Sequence, residues 1–139
     1  GLWWTYFDRF AATAADRLRD HEDPVLAAAD AYSYLHLVLV AGIIVFAVGA
    51  KYAVAHVGSP LSAGARLALC GGVALYLAGH AGFSLRMTGA VGYGKLCAAG
   101  GCLLLFAIAG SAPAWTIAGA LVAVLVLLVL SERVALIAR

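Results

Sequence analysis

The chain has 139 residues, 65% hydrophobic and 12% charged, with a net charge of +2 and a mean hydropathy of +0.99. Soluble domains carry about 25% charged residues, so this composition excludes an ordinary soluble globule and indicates a polytopic membrane protein. The small positive balance is scattered among loops rather than gathered on one face, which excludes a nucleic-acid-binding surface.

Residues 1–10, GLWWTYFDRF, read as the closing turns of an apolar helix that extends over 1–19. Trp3, Trp4, Tyr6 and Phe7 suit an interfacial aromatic belt, and Asp8 and Arg9 mark the exit into water. The chain opens on Gly1 without a Met, a basic leader or a cleavage site. It is therefore expected to be a fragment or one repeat of a longer membrane protein.

Asp23-Pro24 pairs an N-cap acceptor with a proline that loses no helical bond, and predicts a second helix over 24–54. Within it, residues 31–50 are 20 uncharged residues, a length that matches the roughly 30 Å hydrocarbon core of a bilayer at about 1.5 Å per residue. Ser59-Pro60 repeats the same start signal and predicts a helix over 60–87, whose 19 uncharged residues 67–85 lie between Arg66 and Arg86. A glycine-rich turn follows. The next uncharged run, residues 96–131, has 36 residues and is too long for one helix. Gly110-Ser111-Ala112-Pro113 divides it into helices over 95–110 and 113–137, the first of them rather short. The expected fold is all-α: a single polytopic membrane helix bundle, with four full transmembrane helices plus a truncated or partial first helix.

Basic residues set the expected orientation. Arg9, Arg17, Arg19, Arg86, Lys95, Arg133 and Arg139 fall on one side, and only Lys51 and Arg66 on the other. The richer side, which includes the C-terminus, is expected in the cytoplasm of a bacterium, with the chain a multi-pass protein of its inner membrane. Hydrophobic force between helices is weak in lipid, so small residues are expected at helix contacts: Gly42 and Gly49, Ala74-Ala78-Gly82, and Gly119-Ala123. Cys70, Cys97 and Cys102 stand in apolar runs without metal-site spacing and read as small buried hydrophobes.

Ionisable and phenolic residues inside the spans carry the chemical question. Tyr32 and His36 are four apart on one predicted helix, and Tyr76 and His80 four apart on the next. His36 lies six residues after Asp30 and His80 six before Arg86, which puts both about 9 Å in from the same boundary. Tyr76 lies about 15 Å in, near mid-bilayer. With Asp8 and Arg9, these residues form a candidate polar or proton pathway, since histidine changes charge near neutral pH. The competing reading makes the histidines polar glue between helices, Tyr76 structural, and Tyr32 and Tyr34 belt residues. No nucleophile motif, zinc motif, phosphate loop or intramembrane carboxylate pair is present. No catalytic residue, metal site or cofactor is therefore assigned, and the chain leans away from an enzyme.

The stretches WWTYFDR, DAYSYLHLVLVAGIIVFAVGAK and RLALCGGVALYLAGHAGFSLR resemble the bacterial low temperature requirement protein A family, in its C-terminal part. The aromatic pair before Asp8 is similar to a motif near the start of family members, which implies an internal duplication. The resemblance implies a longer multi-pass protein and transfers no catalytic or binding role to any residue. The leading functional expectation is a transporter or channel of the inner membrane with a cytoplasm-facing polar cavity, with proton coupling as one form of it. The alternative is a structural or assembly subunit without transport or catalysis. Expected partners are the lipid bilayer and either the remaining part of the same protein or a second copy.

Overall fold

The structure, a computed structural model, describes residues 31–137. The expected helix over 1–19 and the residues Asp8 and Arg9 lie outside these described residues. A π-helical turn, Ala31–Leu35, leads into α1, His36–Ala55; α2 is Ala63–Thr88, α3 Tyr93–Ile108 and α4 Ala114–Ile137. Every element among the described residues is helical. Three helices are long and apolar enough to cross a membrane, over Ser33–Ala55, Ala63–Arg86 and Ala114–Ala135. The expectation of four full spans is corrected at α3, whose 16 residues measure about 24 Å against a core of about 30 Å. Gly92 caps its start, and its last carbonyls are turned toward a side chain of α2 rather than into a further helical turn.

The helix ends follow local chemistry with one exception. Gly89 closes α2 in the left-handed conformation (φ 68°), and its N–H donates to Leu85 O at 2.9 Å, the geometry that favours glycine after a helix. The carbonyl of Pro113 accepts from Thr116 and Ile117 as α4 begins. The start expected at Ser59-Pro60 is displaced to Ser62, whose hydroxyl accepts from the Ala65 N–H at 3.3 Å. Tertiary pairing takes the earlier residues out of helical geometry. Ala114 N–H donates to Ser59 O at 3.0 Å and Trp115 N–H to Val57 O at 3.2 Å, and Pro60 lies antiparallel to Pro113. The α1–α2 and α3–α4 connections are thereby stitched together at one end of the bundle, and the turn at residues 89–92 forms the other end.

The centre of the fold is the antiparallel contact of α1 with α2. A β-carbon added to Gly42 would lie 2.7 Å from the backbone nitrogen of Tyr76 and 2.9 Å from its Cα. One added to Gly49 would fall on the backbone of Leu69, and one on Gly72 would fall on the backbone of Phe46. Gly42 and Gly49 are thus contact residues, as their spacing predicts, and Gly72 joins them from α2. Ala74 is buried and Gly82 receives Leu35, while Ala78 is exposed. The expected contact at Gly119-Ala123 is not made among the described residues: both are exposed, and a β-carbon on Gly119 meets nothing within 4 Å. Cys97 is likewise exposed, whereas Cys70 and Cys102 are buried.

The core lies along α2, with Leu69, Cys70, Val73, Tyr76 and Leu77 joined by Leu39 of α1, Cys102 of α3, and Ile117 and Leu121 of α4. A bulky residue at Gly72 would have to separate two backbones. Gly72→Leu is expected to cost more than the about 1–3 kcal/mol usual for overpacking, and Gly100→Ala, where an added β-carbon meets nothing within 4 Å, is expected not to lower stability. Unfolding midpoints of the two variants in detergent check this.

Candidate functional site

The α1–α2 register decides what the polar residues can do. Val38 and Leu39 pack at Gly79, and Leu35 packs at Gly82, where a β-carbon would lie 3.3 Å from the Leu35 side chain. His36, which follows Leu35, therefore stands level with Gly82, within one helical turn of His80 in depth. It is half-buried. His80 is 1% exposed and falls on the same stripe of α2 as Val73 and Leu77, each also 1% exposed. That i, i+4, i+7 stripe places the imidazole among the buried side chains of the bundle.

Tyr76, one turn deeper, is buried, and its ring meets the His80 ring edge-on, with centroids 6.0 Å apart and planes at 64°. Such edge-to-face contacts contribute about 0.5–1.5 kcal/mol beyond burial. The structure therefore brings Tyr76 and His80 together. It places Tyr32 in the π-helical turn before α1, where hydrogen bonds span five residues rather than four. Among the described residues, no group of three or more His, Cys, Asp or Glu is placed to hold a metal ion.

The polar residue that sequence reasoning underrated is Arg66, read above as a flanking charge. Its Nε–H donates to Phe106 O at 3.0 Å, and its Nη1 to Gly110 O at 3.3 Å and Leu61 O at 3.4 Å. The guanidinium also lies 5.2 Å from the centre of the Phe106 ring. A cation in the first turn of α2 is disfavoured by that helix's own dipole, but the carbonyl end of α3 attracts it. The misplaced charge was the available signal: a cation at a helix start needs acceptors from elsewhere. At the opposite end, Lys95 of α3 and Glu132 of α4 form an ion pair at 3.0 Å.

Long apolar helices, small-residue contacts and a buried His–Tyr pair define a helical membrane protein. More particularly, the chain belongs to the bacterial low temperature requirement A protein family, LtrA, whose match covers residues 1–130. It is also similar to an uncharacterized protein of Rhizobium meliloti (strain 1021), with 38% identity over 78 residues, 56% of this chain and 19% of that relative. The match thus spans about a fifth of the relative's length. No solved structure matches the chain.

Arg66 makes its bonds through a planar fork that lysine cannot reproduce. Arg66→Ala is expected to lower stability by about 1.5–3 kcal/mol, the range for hydrogen bonds to a charged group, and Arg66→Lys to recover only part of it. Denaturation in detergent, with faster amide exchange at residues 106–115, is the measurement.

Proposed function

We propose that this chain forms part of a transporter or channel of the bacterial inner membrane, with a polar path entered from the cytoplasm and proton coupling centred on His80. One observation carries this reading: an imidazole 1% exposed on a membrane-spanning helix, in ring contact with a buried tyrosine. Ionisable groups at membrane depth are costly and mark ion or proton routes, and histidine can gain and lose a proton near neutral pH. Asp8, Arg9, Tyr32 and His36 would line the cytoplasmic entrance, with His80 and then Tyr76 further in. The count of basic residues supports a cytoplasmic C-terminus.

A second reading rests on the outward-facing Gly119 and Ala123 of α4. Small residues exposed on an apolar helix suit close approach by another helix. This favours a structural or assembly role, with the rest of a longer protein or a second copy as partner.

Proteoliposome proton flux separates the two. His80→Gln keeps hydrogen-bonding groups but does not titrate, and is expected to reduce flux at least tenfold while Tyr76→Phe retains the ring contact and the fold. Wild-type flux in a folded His80→Gln variant overturns the transport reading. Orientation is tested separately with a C-terminal reporter, which should be active only in the cytoplasm.

A further inference from the structure

Two buried cysteines, Cys70 of α2 and Cys102 of α3, stand at one level of the α2–α3 contact. The antiparallel register of these helices is anchored at both ends. At one, the Arg66 guanidinium bonds to Phe106 O at 3.0 Å; at the other, a β-carbon on Gly92 would lie 3.8 Å from Ala81. One helical turn from Arg66 along α2 is Cys70, and one turn back from Phe106 along α3 is Cys102, so the same register sets them opposite one another. Both are 0% exposed and belong to one core cluster. The surrounding stripe is built of small residues, Ala74 and Ala81 on α2 and Ala98 and Ala99 on α3, all buried. Small residues let helices approach closely, and a disulfide requires Cα atoms within about 7 Å. Cys97, one residue before Ala98, is exposed and takes no part.

We propose that Cys70 and Cys102 are a redox-active pair that closes to an intramolecular disulfide and locks α2 to α3 next to the Arg66 anchor. The oxidant is a disulfide compound. The thiolate of one cysteine attacks it, forming a mixed disulfide and releasing one thiol; the other cysteine, as its thiolate, then displaces the second thiol and forms the Cys70–Cys102 bond. Two cysteine thiols are oxidised, one external disulfide is reduced to two thiols, and the protons of the cysteines end on the departing thiols. The pair lies about 6 Å, one helical turn, from Arg66 along α2.

The test uses the chain purified in detergent with Cys97→Ala, treated with dithiodipyridine. The expected result is release of thiopyridone from both cysteines with no adduct retained. Digestion without reductant should yield a Cys70–Cys102 linked peptide that a reductant separates, and the unfolding midpoint should rise on oxidation. Cys70→Ser and Cys102→Ser, each in the Cys97→Ala background, should instead retain one pyridyl adduct and show no rise. Stable pyridyl adducts on both cysteines of the paired form, or unreacted thiols under conditions that fully modify Cys97 in the parent chain, would overturn the proposal. Linkage only between separate chains would overturn it as well.

Discussion

The structure depends on two helix backbones being allowed to touch. Gly42 and Gly49 of α1 and Gly72 of α2 remove the side chains that would otherwise hold those backbones apart. In an apolar solvent there is little hydrophobic force to bring helices together, so close dispersion contact carries more of the association than in water. The glycines also fix the sliding position of one helix on the other. With Gly42 at Tyr76 and Gly72 at Phe46, Leu35 falls at Gly82, and His36 takes its level from that register. A slide of one residue would set side chains against backbone at each of these points. The depth relation between the histidines is therefore a consequence of the glycine contacts.

Much of this fold can be read locally. Uncharged runs bounded by Arg66, Arg86 and Lys95, with Gly89 and Pro113 as punctuation, mark the helices because each signal acts within a few residues. Ser59-Pro60 has the right chemistry for a helix start, yet the carbonyls around it are used by the first residues of α4, a partner more than fifty positions away. The glycine patterns show the same limit. Gly42 and Gly49, seven apart, and Gly119 and Ala123, four apart, both read as contact faces, because small residues state where approach is permitted and not which neighbour arrives. Gly72 and Gly79 share the seven-residue interval of Gly42 and Gly49, and both meet α1. At the site, Tyr76 and His80 are legible as a pair on one α-helix, while the placement of His36 required the register of two helices and the π-helical turn before it.

The two ends of the bundle are held by different kinds of interaction. At the Arg66 end, backbone pairing between connections is combined with a guanidinium that spans Leu61, Phe106 and Gly110. At the His80 end, the glycine turn at 89–92 is accompanied by the Lys95–Glu132 pair, which is partly exposed and so contributes little in water. Separation of helices consequently costs more at the first end than at the second. His80 and Tyr76 lie toward the more easily separated end, where a change in the charge of a buried group would meet the least resistance.

The shortness of α3 has a consequence for the solvent around it. Leu96, Leu103, Leu104 and Ile108 are exposed along this helix, but its length falls about 6 Å short of a typical hydrocarbon core. A bilayer meeting that face must thin, or let its headgroups dip, at a cost of fractions of a kcal/mol per ångström. The strip of membrane beside α3 would be compressed relative to that beside α1 and α4. Such a dimple would bring water and phosphate closer to the bundle on one flank.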